Sequence, residues 1–154
     1  MKQLEMKHLS PYLPYGLQLY DSYDDMNVSL RGLILDDTEP VKVSKFFHLI
    51  KSRKMDEIKP ILRPLSDLIK EININGETMA PCDYFEYGDE NQDEIFRNAS
   101  RDLETIGKYN LHHDIQFQPN GVIEKLFEWK FDIFGLIDHN LAIDVNTLQE
   151  NPYA

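Results

Sequence analysis

The chain has 154 residues, 42% of them hydrophobic and 11% aromatic. That is apolar enough to fold, and the length fits one domain, since halves of about 75 residues would each hold a marginal core. A formal net charge of −11 argues against sequence-independent binding to nucleic acid or an anionic membrane, because both repel an acidic protein.

The longest unbroken apolar run, Ile133-Phe134-Gly135-Leu136-Ile137, is far shorter than the roughly 20 residues of a membrane helix. Met1 to His8 alternates charged and apolar residues where a signal peptide needs a continuous apolar stretch. The expectation is a cytoplasmic protein without a membrane segment. Cys82 is the single cysteine, so neither an internal disulfide nor a thiolate zinc cluster is expected.

In chain order, the first element is a Pro/Tyr-rich stretch around Tyr12, Pro14 and Tyr15, read as extended and either packed on the sheet as a tie or presented for recognition. Leu17 to Tyr20 and Val28 to Leu35 alternate apolar and polar positions across a polar loop, which predicts a first hairpin. Val41 and Val43 predict a short third strand, and Ser44 a cap for a short helix holding Phe46, Phe47, Leu49 and Ile50. Pro60 and Pro64 cannot share a helix; Pro64 suits the first turn of a short helix, Leu65 to Lys70, with Asp67 favourable at its positive end.

Asn75-Gly76 between Glu71 and Met79 predicts a type I′ hairpin, a turn that needs two positive φ angles. Ile95, Phe96, Ala99, Leu103 and Ile106 form one apolar helical stripe, with acidic residues ahead of it and Gly107 as the expected left-handed stop. Val122 to Ile137 is apolar on more than one stripe, which predicts a helix buried on most sides or presenting a face to a partner. Asp138-His139-Asn140 would close it. Leu141 to Val145 alternates as a closing strand. The sum is one small α+β domain over residues 1–154, with antiparallel hairpins packed against two longer helices.

Three blocks carry a resemblance: Leu9-Ser10-Pro11-Tyr12-Leu13-Pro14-Tyr15-Gly16-Leu17, then Ile58-Lys59-Pro60-Ile61-Leu62-Arg63-Pro64-Leu65-Ser66-Asp67-Leu68, then Glu128 to Ile137 running into Leu141 to Asn146. Together they resemble a family of small uncharacterised proteins of phages and prophages of Bacteroidetes. Lys42 to Asp56 and Asp83 to Ile115 look individual to this chain. The resemblance implies a setting, a phage-derived protein in a bacterial cytoplasm, and transfers no activity and no catalytic residue.

Ionisable residues mark the candidate sites. Residues 1–77 carry 11 basic and 12 acidic side chains, and residues 78–154 carry five and 15, so the second half holds −10 of the charge. A basic stretch from Lys42 to Lys70, including Lys51, Arg53, Lys59 and Arg63, lies in the first half. Arg63, between two prolines, is read as held for a carboxylate.

Asp83, Glu86, Asp89, Glu90, Asp93 and Glu94 form a run without a basic residue. It suits either helix stabilisation and solubility or a surface imitating a phosphate backbone for a basic groove. His112, His113, Asp132, Asp138, His139 and Asp144 are residue types that bind zinc or manganese, although no His-Glu-x-x-His spacing is present. Cys82 has acidic neighbours, which raise a thiol pKa and oppose a nucleophilic role. The seven glycines are too scattered for a nucleotide loop.

The leading expectation is a non-enzymatic accessory protein that binds a protein partner through its acidic half, including a basic nucleic-acid enzyme or defence nuclease of the host, and needs no cofactor. The alternatives are a small metal-dependent hydrolase using the His/Asp set and a self-assembling structural component using the apolar excess of residues 122–137.

Overall fold

The computed structural model describes residues 3–46, 49–87 and 94–154, without the side chains of residues 87 and 94–96. Helix α1 (Met6–Leu9) and a 3-10 turn (Ser10–Tyr15) lead into strands β1 (Gln18–Asp21), β2 (Met26–Leu33), β3 (Val41–Ser44), β4 (Lys51–Arg53) and β5 (Ile58–Leu62). A 3-10 turn (Met55–Glu57) lies between β4 and β5, and a further one (Leu65–Ile69) precedes the hairpin β6 (Ile72–Ile74) and β7 (Glu77–Met79). Helices α2 (Pro81–Tyr87), α3 (Glu94–Tyr109), α4 (His112–Ile115) and α5 (Asn120–Glu128) follow, then β8 (Ile143–Asp144). The α+β expectation holds: a six-stranded sheet in the order β4-β3-β2-β1-β5-β8 and a separate two-stranded hairpin, with the helices beside them.

Alternation sets the sheet. Leu19 pairs with Val28 and Leu30 with Val43, so successive buried side chains fall on one face. In a flat sheet β4 and β5 would lie four spacings apart, about 19 Å. They are joined only by residues 54–57, three of them in a 3-10 turn, and even an extended connection of that length reaches no more than about 17 Å. The sheet therefore coils until β4 turns back towards β5. Closure brings Arg53 of β4 to Asp21 of β1: Nε donates to both carboxylate oxygens at 3.0 Å, and Nη2 donates to Asp24 at 2.8 Å. Inside the curl lie Leu17, Leu19, Val28, Leu30, Val41, Val43, Ile58 and Leu62, with Leu9 and Tyr12 against them.

Pro60 is tolerated inside β5 because of register. Ser22 N–H donates to the Glu57 carbonyl, so two residues on, Tyr20 and Lys59 also exchange hydrogen bonds, and Leu19 opposite Pro60 falls at a position that does not. Pairing with β8 begins only at Ile61. That pairing is parallel, an exception to the antiparallel expectation.

A second core gathers Leu65, Leu68, Phe85, Ala99, Leu103, Ile106, Ile115, Val122, Leu126, Trp129 and Phe131 between the helices and the β6–β7 hairpin. The hairpin turn is type I′, as Asn75-Gly76 predicts, with φ of 54° and 87°.

Four expectations are corrected. Ser44 caps no helix: it ends β3, buried, with Oγ accepting from Arg31 Nε at 2.7 Å. Lys45 and Phe46 then bend, and the chain returns as β4, because Phe46, Leu49 and Ile50 have no core to enter and stay exposed; Phe47 lies outside the described residues. The stretch at Tyr12 is a 3-10 turn and not extended, ended by Gly16 at φ 71°. Gly107 is not the stop of α3. That role falls to Asn110 at φ 55°, with Leu111 N–H bonded to the Ile106 carbonyl.

The fourth concerns residues 122–137, which are not one helix. α5 stops at Glu128, Lys130 turns left-handed at φ 61°, and Phe131 leaves to bridge Arg63. The apolar excess serves two cores: Trp129 and Phe131 enter the helical one and Leu136 the sheet one. Asn140 does take the left-handed conformation at φ 57°, closing an irregular turn and not a helix.

Gly107 instead marks a close approach. A Cβ there would stand 3.0 Å from the Leu65 carbonyl oxygen and 3.1 Å from Leu68 Cβ. Alanine normally favours a helix by about 1 kcal/mol over glycine, but overpacking against backbone costs about 1–3 kcal/mol. Gly107→Ala is expected to lower the unfolding free energy in urea titration, against the propensity trend.

Candidate functional site

Helix α2 directs Cys82 and Phe85 inward, which turns Asp83 and Glu86 to solvent. Asp89, Glu90 and Asp93 lie outside the described residues, and Glu94 opens α3 with its side chain likewise outside them. On the described parts of α3, α4 and α5, Asp102, Glu104, Asp114 and Glu124 are also exposed. Burial and then the Asp83 carboxylate push the Cys82 thiol up to about 11, which keeps it protonated and non-nucleophilic.

The structure brings part of the His/Asp set together. His112 Nε2 lies 3.8 Å from Asp132 Oδ2, and its Nδ1 lies 4.0 Å from Asp138 Oδ2, with the ring seated against Gly135. Asp132 is buried and already occupied: Oδ1 accepts from Leu136 N–H at 2.8 Å and Oδ2 from Ile137 N–H at 2.9 Å. Asp138 accepts from the Asn110 side chain at 3.1 Å.

The other members have their own neighbours. His139 Nδ1 is 2.9 Å from the Gly135 carbonyl, His113 pairs with Gln116 and Phe117, and Asp144 accepts from Asn146 N–H at the start of a 3-10 turn. Among the described residues, no group of three or more His, Cys, Asp or Glu side chains is arranged to hold a metal ion.

Arg63 is corrected in its partner. The carboxylate expected for it is replaced by carbonyls: Nε donates to the Trp129 carbonyl at 3.1 Å and Nη2 approaches the Asn73 carbonyl at 3.5 Å. Trp129 caps the C-terminus of α5, so the guanidinium meets the negative end of that helix. Tyr12 is the tie that the sequence suggested. Fully buried, its hydroxyl donates to the Phe131 carbonyl at 2.5 Å.

Sequence reasoning missed Lys130 and Tyr153, which stand beside Arg63. Sequence carries no signal for them, since only the left-handed turn at Lys130 and the return of the C-terminal segment place them there. No helix of the described residues is long and apolar enough to cross a membrane. Comparison with protein-family models, with curated proteins and with solved structures found no match.

The Asp132 cap yields a pH prediction. Burial, the largest influence, raises the Asp132 pKa despite the two amide donors and His112. A carboxyl group whose folded-state pKa is raised stabilises the fold fully at acid pH and loses that contribution as pH climbs through the raised value. Asp132→Asn keeps one acceptor and removes the titration. The expected result is a constant loss for the second amide plus a slope: as pH rises above the ordinary carboxylate value near 4, the variant gains relative to wild type in chemical denaturation.

Proposed function

We propose that this protein acts by binding a protein partner that carries a basic groove, through the acidic face built from α2, the start of α3 and the carboxylates beside them. One observation carries the reading. Residues 78–154 carry five basic against 15 acidic side chains. In the nearly balanced first half, Glu5, Asp21, Asp24, Asp37 and Asp67 each have a lysine or arginine within ion-pair distance, while Asp25, Asp36, Glu39, Asp56, Glu71 and Glu77 are exposed without one among the described residues. In the second half, the exposed carboxylates of Asp83, Glu86, Asp102, Glu104, Asp114 and Glu124 have none among the described residues.

The first-half ion pairs also account for part of the basic stretch. Lys42, Lys51, Arg53 and Lys70 are taken up by internal carboxylates, so they do not neutralise the acidic half. Carboxylates left unpaired at a surface produce a field that steers a basic partner at long range and is screened by salt. The sharper form of the reading is inhibition of a nucleic-acid enzyme, including a defence nuclease, in the cytoplasm of a phage-infected bacterium, with the acidic face occupying the groove meant for phosphates.

The test is capture from nuclease-treated bacterial lysate at low and high salt, with wild type and with a variant carrying lysine at Asp83, Glu86, Glu90, Asp93 and Glu94. The expected outcome is one stoichiometric basic partner held by wild type at low salt, released at high salt and not held by the variant. Equal retention by a variant with unchanged circular dichroism overturns the reading.

A further inference from the structure

We infer that the cleft between the end of α5, the β6–β7 turn and Tyr153 is a phosphate-binding notch, in which Arg63 and Lys130 together hold one phosphate monoester. Lys130 and Arg63 flank the same aromatic ring: the Lys130 Nζ lies 5.2 Å and the Arg63 Cζ 5.9 Å from the centre of the Tyr153 ring. Ile74, Asn75, Glu128 and Trp129 complete an open cleft whose inner space, about 30 Å³, is that of one water-sized group, so a phosphate would seat one edge there and keep the rest in solvent.

The charges in that cleft have no counterion in contact: the carboxylate of Asp67 acts on Arg63, and that of Glu128 on Lys130, only from beyond ion-pair distance. Arg63 is only 4% exposed, and buried cations are normally paired with a carboxylate. Here neither Arg63 nor Lys130 has one within ion-pair distance among the described residues. Glu128, the carboxylate at the rim, is engaged by Lys125 at 3.0 Å.

Nor is the guanidinium saturated. Its Nε and Nη2 go to carbonyls, whereas Nη1 makes no hydrogen bond among the described residues and is not sealed from solvent. Two like charges are held together: burial and then the charge of Arg63 both lower the Lys130 pKa, and Lys130 adopts a left-handed backbone at φ 61° to stand there.

Two monocations facing one small cleft match a dianion better than a carboxylate, and a phosphate monoester carries close to two negative charges at pH 7. The Arg63 fork offers a hydrogen-bond donor of defined direction, and Lys130 a point charge that follows the oxygens. In a protein of net −11, anions are repelled from the rest of the surface, so binding at this notch is local and not a general attraction. The inference is independent of the acidic face.

Trp129 is the only tryptophan and lines the notch, so its fluorescence reports binding. Titration of inorganic phosphate, at constant ionic strength against chloride and acetate, is expected to give a saturable change that neither control produces. Lys130→Asn, chosen because asparagine tolerates a left-handed backbone, should weaken the phosphate response about tenfold or more while leaving urea stability near wild type, and Lys130→Arg should restore most of it. O-phosphoserine and a nucleoside monophosphate distinguish the source of the group: equal binding means that the phosphate alone is read, and preference for one identifies its carrier. An equal response to all anions, or a phosphate response untouched in Lys130→Asn, overturns the inference.

Discussion

The two cores of this protein are held together at one backbone crossing. Between Leu62, which belongs to the sheet core, and Leu65, which belongs to the helical core, the chain passes through Arg63 and Pro64. A second segment makes the reverse passage, from Phe131 and Ile133 to Leu136. The two run parallel and bond to each other: Arg63 N–H donates to the Lys130 carbonyl at 2.7 Å, and Asp132 N–H donates to the Arg63 carbonyl at 2.8 Å. Tyr12 closes the crossing from the sheet side through the Phe131 carbonyl, and Arg63 closes it from the helical side through the Trp129 carbonyl. Buried backbone groups must find partners, and here those partners come from three distant parts of the sequence. Phe127 packs against both cores, so apolar contact and hydrogen bonding join at the same place.

This crossing explains why α5 is short. A continuous helix from 122 to 137 would bury its apolar residues on one cylinder and leave the Arg63 backbone without partners. Stopping at Glu128 and turning left-handed at Lys130 costs on the order of 1 kcal/mol in backbone strain. It is offset by the bridge, by the Asp132 cap of the following turn and by delivery of Leu136 to the sheet core.

Local sequence patterns are a sound guide where the constraint is itself local. Asn75-Gly76 dictates its turn because two positive φ angles are cheap there, and alternation at Leu17–Leu19, Val28–Leu30 and Val41–Val43 identifies strands that bury one face. The stripe from Ala99 to Ile106 identifies α3. What was illegible depends on distant contacts. Gly107 reads as a helix stop from its lack of a side chain, but the reason for that lack is the Leu65 carbonyl, 42 residues earlier in the chain. Ser44 reads as a cap, but pairing of β3 with β2, where it stands opposite Ser29, decides its conformation. Among the candidate site residues, exposure of Asp83 and Glu86 follows from the amphipathic pattern of α2. The meeting of His112 with Asp132 and Asp138 does not, since it needs the irregular turn after Phe131.

The crossing also fixes what Arg63 is worth to the protein. As a helix cap alone it would need a single donor, and a neutral donor would serve the Trp129 carbonyl without the cost of burying a charge, which amounts to several kcal/mol before compensation. The Tyr153 ring and the end of α5 recover part of that cost, yet the second cation at Lys130 adds to it, because like charges near each other in a partly dry cleft repel more strongly than in water. An arrangement optimised for folding would place a carboxylate between them, as it does for Arg53, where Asp21 and Asp24 complete the pair. The contrast between the two buried arginines, one neutralised within the fold and the other facing a cleft beside a lysine, separates an ion pair that closes a sheet from one whose anion is supplied from outside.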